Sequence, residues 1–108
     1  MAKNFVEIGE TIDVKNATGK VIASGSPVTA GELVVVALTD IQPDDYGTAY
    51  AVGVFSLPKL STDAITAGAR VYLKDGKIQL DKTSAVAAGI AWEDADADTT
   101  AVAVKLNV

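Results

Sequence analysis

The chain has 108 residues, 49% of them hydrophobic and 21% charged. That length suits one globular domain, expected to span 1–108, whose core can form without metal or disulfide staples. It has no cysteine and no histidine, which closes disulfides, thiolate nucleophiles, thiolate zinc sites, Ser-His triads and imidazole acid–base chemistry. Fourteen acids against nine bases give a net charge of −5, which repels a phosphate backbone and argues against nucleic acid as a partner.

The chain opens on Met1-Ala2-Lys3-Asn4-Phe5-Val6, with one base and no apolar run before Glu7, so no secretory signal is expected. Nor does any apolar run approach the roughly 20 residues of a membrane helix, so a soluble chain without a membrane partner is expected. Residues 1–6 precede the first turn and have no pairing partner nearby. They read either as an extended arm that adds a strand to a neighbour's sheet edge or as the first strand of the fold itself.

Residues 12–14 are the first segment rich in β-formers. Asn16-Ala17-Thr18-Gly19 and Ser24-Gly25-Ser26-Pro27 then read as turns. A strand is expected over residues 34–38, before the break Pro43-Asp44-Asp45-Tyr46-Gly47. Asp44 and Asp45 are adjacent carboxylates in a Pro/Gly loop with no desolvating neighbours, so they read as turn residues and not as an acid–base pair. The next strand is expected to run unbroken over residues 50–55, with Gly53 marking a bulge or a close backbone approach.

This strand continues through Ser56 and Leu57 into Pro58. Proline cannot donate to a sheet ladder, so the strand must end there or lie at an edge. Phe55, Leu57 and Pro58 form either a corner of the fold or an apolar docking surface. Residues 61–69 are compatible with one helical turn, capped by Ser61 or Thr62 and stopped by Gly68.

Val71 and Leu73 alternate with Tyr72 and Lys74, and Lys74-Asp75-Gly76-Lys77 supplies the Asp-Gly pair of a tight hairpin. Ile78 and Leu80 return on the other side. Asp81-Lys82 faintly resembles the hairpin that carries lipoate or biotin in small β carriers, but the better turn lies upstream at Asp75-Gly76. A strand is expected over residues 86–92, containing Gly89 and ending on Trp92. Trp92 is either a contact anchor or core lining, and the burial tendency of tryptophan favours core.

The run Glu93-Asp94-Ala95-Asp96-Ala97-Asp98 begins like a calcium loop but lacks its glycine and its final glutamate, so it reads as a solvated turn, and no metal site is expected. Val102, Val104, Leu106 and Val108 alternate with Ala101, Ala103, Lys105 and Asn107 as a half-buried closing strand. The glycines nowhere form a phosphate-cradling spacing before a helix, and no catalytic residue or cofactor is expected. Short strands between regular breaks indicate an all-β fold: a small β-barrel or sandwich, β-tulip-like, with at most one helical turn.

Ala2-Lys3-Asn4-Phe5-Val6, Gly53-Val54-Phe55-Ser56-Leu57-Pro58-Lys59, Gly68-Ala69-Arg70-Val71-Tyr72-Leu73, Ala88-Gly89-Ile90-Ala91 and Val102-Ala103-Val104-Lys105-Leu106 occur in this order over residues 2–107. In that set the chain resembles the DUF2190 family of tailed-phage and prophage capsid decoration, or cement, proteins. The resemblance implies a structural, non-enzymatic protein of the virion, assembled in the host bacterial cytoplasm. It would bind the major capsid protein on the outside of the expanded head and stiffen the shell. It also implies a homo-oligomer, a closed trimer at threefold positions being favoured over a dimer at twofold positions. Under it, the expected contacts are Ala2, Lys3, Asn4, Phe5 and Val6 of the arm, with Phe55, Leu57 and Pro58. The competing reading is a small all-β ligand-binding module, such as one for carbohydrate, without catalysis.

Overall fold

The computed structural model describes residues 3–108, and the described residues form nine strands and no helix. They are β1 Thr11–Lys15, β2 Pro27–Ala30, β3 Leu33–Ala37, β4 Tyr46–Tyr50, β5 Val54–Pro58, β6 Arg70–Lys74, β7 Lys77–Gln79, β8 Val86–Ala91 and β9 Ala101–Leu106. The first four build one antiparallel sheet in the order β1-β4-β3-β2, and the rest build a second in the order β5-β9-β8-β6-β7. The fold is all-β, as the strand spacing indicates, with the second sheet curled into a half-barrel.

That curl brings the end of β5 back to β7. Lys59 forms a parallel bridge with Ile78, and the Leu60 N–H donates to the Ile78 carbonyl at 2.9 Å. The curl is helped by a bulge in β8. Val71 stands opposite Gly89 and Tyr72 opposite Ala87, leaving Ala88 as the extra residue.

Core packing centres on β3. Four of its five residues are buried, on both faces, which is why its sequence Leu-Val-Val-Val-Ala shows no polar alternation. Val35 and Ala37 pack with Val14, Ile22, Ile41 and Ala49 inside the first sheet. Val34 and Val36 face the other way, into a larger core with Leu57, Val71, Ile78, Val102 and Val104. One strand therefore belongs to two cores.

Buried polar groups stitch the loops to this frame. Asn16 is fully buried, its amide donating to the carbonyls of Lys20 and Ile41 at 2.6 and 2.8 Å, while its oxygen accepts from the Thr18 N–H and hydroxyl. Asn107 donates to the carbonyls of Val34 and Ala51 at 3.0 and 2.7 Å, tying the end of the second sheet to the first. Lys59 is buried, and its ammonium donates to the carbonyls of Leu60 and Thr99 at 2.8 and 3.2 Å.

Three sequence expectations change. The strand expected over residues 50–55 is two strands, because Gly53, at φ +116°, turns the chain between β4 and β5. Residues 61–69 hold no helical turn. Ile65 is instead buried and exchanges backbone hydrogen bonds with Ala95 at 2.8 Å in each direction. β2 was not expected; it pairs with β3 across Gly31-Glu32, where Gly31 has φ +63°, the signature of a type II′ hairpin. The Asp75-Gly76 hairpin forms with both residues at positive φ (53° and 77°), as a type I′ turn requires.

Gly89 is the glycine on which the second sheet depends. It has φ +147°, and a Cβ there would overlap the Lys105 carbonyl oxygen on β9. Substitution Gly89→Ala should therefore cost at least about 3 kcal/mol through backbone strain and overpacking. Equilibrium urea unfolding checks this, since it should show the midpoint falling well below that of the parent. The companion substitution Lys59→Met keeps the apolar stem and removes the two charge-assisted donations, and should cost about 1.5–3 kcal/mol in the same assay.

Candidate capsid-contact surfaces

Residues 3–10 form no strand and are exposed throughout. Three carry large apolar side chains in water: Phe5 at 57%, Val6 at 89% and Ile8 at 79% exposure. The expected contact residues Lys3, Asn4, Phe5 and Val6 lie in this segment, whereas Ala2 lies outside the described residues. The segment leads directly into β1, an edge strand. The Glu10 carbonyl accepts from the Ala51 N–H at 2.8 Å, and the Asn16 backbone N–H donates to the Asp45 carbonyl at 2.9 Å. The alternation between these bonds turns the backbone groups of Thr11, Asp13 and Lys15 away from β4, toward the open edge.

At the second expected contact, Phe55, Leu57 and Pro58 part company. β5 does end at Pro58, and it is an edge strand of its sheet, as the proline requires. Leu57 points inward and is 1% exposed. Phe55 is half-buried against the same core, its ring 5.6 Å from that of Tyr50. Only Pro58 of the three is exposed, together with Val54 and Ser56 on the same side of the strand.

Trp92 also departs from expectation. It is not core lining but 55% exposed, because it follows the inward-facing Ala91 and the alternation of β8 turns it outward. Its backbone N–H donates to the Ala103 carbonyl at 2.8 Å. The Lys105 ammonium stands 5.1 Å from the ring centroid, a cation–π contact.

The acidic turn after Trp92 is used by the fold. Asp94 accepts from the Ala67 N–H at 2.7 Å, and Asp98 sits at φ +75° while its N–H donates to the Ser61 carbonyl at 2.6 Å. Asp44 likewise occupies a turn at φ +65°. Among the described residues no three of His, Cys, Asp and Glu gather as a metal would need. Asp81 accepts from the Thr83 N–H at 2.9 Å and lies 3.9 Å from the Lys74 ammonium. The Thr83 backbone donation, then its side chain, then the charge of Lys74 hold the Asp81 carboxyl below its usual range. Lys82 stands in that loop, away from the Asp75-Gly76 hairpin tip.

A groove of about 470 Å³ opens between the first sheet and the β6–β7 hairpin, lined by Val14, Ile22, Val28 and Leu73 with Lys15 and Asp75. Asp75 is the carboxylate that lines it, beside Lys15.

The geometry therefore offers surfaces for contact: an exposed apolar arm, an open strand edge and an outward tryptophan. The family model described as phage cement protein matches residues 6–106. The chain belongs to the phage cement protein family. The resemblance carried by the sequence segments is thereby borne out, and a structural role in association with a phage capsid follows from the family. Neither the curated proteins nor the solved structures contain a match to the chain.

Trp92 is the single tryptophan of this cement protein, so its fluorescence reports one site. Acrylamide should quench the emission of the native protein at more than half the efficiency seen for the urea-unfolded chain, in keeping with its 55% exposure. Strong protection from quenching in the native state would contradict this placement.

Proposed function

We propose that this cement protein decorates the outer surface of an expanded phage head and bridges neighbouring copies of the major capsid protein. It acts as a clamp and not as an enzyme. The observation that carries the reading is the family match over residues 6–106. Charge supports the exterior position: packed DNA repels a chain of net charge −5, which is better accommodated on the outside of the shell. Assembly would take place in the cytoplasm of the bacterial host, where heads are built.

DNA pressure pushes capsid subunits apart, so a stabilising clamp must touch at least two of them. Contacts joined in one rigid body gain effective concentration, and modest single sites then hold firmly. A stable specific interface buries about 1,200–2,000 Å² in all. A closed cyclic trimer at threefold positions would repeat each contact three times around one axis, and it is favoured over a dimer at twofold positions.

The arm supplies the first contact. Residues 3–10, extended, would reach about 26 Å at 3.3 Å per residue, enough to cross to a neighbouring subunit. Laid against an open sheet edge there, its backbone would gain ladder hydrogen bonds and its exposed Phe5, Val6 and Ile8 would leave water. Pro58, exposed at the end of β5, lies at the second expected contact.

Removing residues 1–6 takes away Phe5 and Val6, whose burial is worth about 1.5–3 kcal/mol each. Binding to expanded, undecorated heads, measured by co-sedimentation, should weaken at least about tenfold per side chain buried. Thermal unfolding should be unchanged, because both residues are exposed in the structure. Equal binding by the truncated and full chains would reject the arm as a contact. Absence of binding by the full chain would reject the decoration role.

A further inference from the structure

Strands β5 to β9 contain no aspartate or glutamate, although the chain holds fourteen. They do contain four of its nine bases, Arg70, Lys74, Lys77 and Lys105. The register turns all four to one side. Val71, Leu73, Ile78, Val104 and Leu106 are buried inward, so the alternate positions face out. Across the sheet, Arg70 stands opposite Ile90, Ile90 opposite Lys105, and Lys105 opposite Val54, in one row that alternates basic and apolar side chains. The next row is Trp92, Ala103 and Ser56, and beyond it Ala101 faces Pro58.

The outer face of this sheet is thus basic and apolar in a chain that is acidic overall. Lys74 and Lys77 even stand directly opposite each other, an arrangement that costs stability unless carboxylates relieve it. Asp81 approaches only Lys74, at 3.9 Å. Tryptophan and arginine are the residues that most often dominate binding energy, and here both stand on the outer face of the curled sheet, the Arg70 guanidinium also donating to the Val108 carbonyl.

We propose that this outer face is a docking surface for a carboxylate-bearing, apolar-centred patch of the head shell, with Trp92 as its anchor. The inference rests on the cement-protein reading above and adds the face and the chemistry of its partner. Charge favours this occupant over the alternatives. A second copy related by a twofold axis would set bases against bases. An extended polyphosphate would continue past Trp92 into Glu93, Asp94, Asp96 and Asp98, whereas a compact patch can set its carboxylates at Arg70, Lys74, Lys77 and Lys105 and stop short of that turn. Four strand spacings by five residues give a face of roughly 300–400 Å². That is below the ~800 Å² per partner of a stable interface, so this contact works together with the arm.

The test compares the parent, Trp92→Ala and the double variant Arg70→Glu/Lys105→Glu in co-sedimentation with expanded, undecorated heads at low and raised salt. Trp92→Ala should bind about thirtyfold more weakly or worse, as a hot-spot anchor does. The charge reversal should lose at least about tenfold at low salt, where the parent binds best. Thermal melts should show the reversed variant folding like the parent, so that the test does not hang on Trp92→Ala alone. Undiminished binding by both variants, with the parent bound, overturns this face while leaving the cement role standing. A parent that ignores the heads overturns both. Unchanged head binding together with loss of duplex-DNA binding, or of a homo-oligomer seen by light scattering, transfers the face to nucleic acid or to a second copy and overturns the assignment.

Discussion

Everything in the structure depends on one strand being apolar on both sides. β3 contributes Val35 and Ala37 to the core of the first sheet and Val34 and Val36 to the core between the sheets. Neither core closes without it, and a polar residue at any of these four positions would lie away from water without a partner. The two sheets are therefore coupled mechanically through a shared wall.

The edges of that wall are held by polar groups whose hydrogen-bonding capacity is met inside the protein. Asn16 ties the turn at Thr18 and Lys20 to Ile41, and Asn107 fastens the end of β9 to β3 and to the link before β5. Lys59 does the same for the loops that close the curl of the second sheet. No buried side-chain nitrogen or oxygen among the described residues lacks a partner. Such groups fix one arrangement because every alternative would leave a donor or acceptor unmet.

The sequence was most legible where alternation and turn chemistry agreed. The Asp75-Gly76 hairpin, the closing strand and the edge at Pro58 all rest on local rules, and all are present. β2 is masked in the sequence by the turn residues of Ser24 to Pro27, although Gly31-Glu32 carries the Gly-X signal of a two-residue hairpin. The division at Gly53 was hidden because both sides of it are β-formers, and only the positive φ separates them.

Side selection was harder to read than strand placement. Phe55 and Leu57 are the prominent apolar residues of β5, but a strand with one wet face buries its largest side chains, and the surface belongs to their neighbours Val54, Ser56 and Pro58. Trp92 went the opposite way for the same reason. Its size argued for burial, while its parity, one residue past Ala91, put it outside. Parity outweighs size because a one-residue shift would expose the whole inward set.

The way the N-terminal segment joins the first sheet decides how the molecule answers a tug. A load entering through residues 3–10 reaches β1 at Thr11 and runs along the strand axis, at right angles to the bonds that join β1 to β4 between Thr11–Tyr50 and Lys15–Tyr46. All of those bonds share the strain at once, in shear, instead of parting one after another like a zip. A tether attached at this end is thus secured by the whole length of the strand pair.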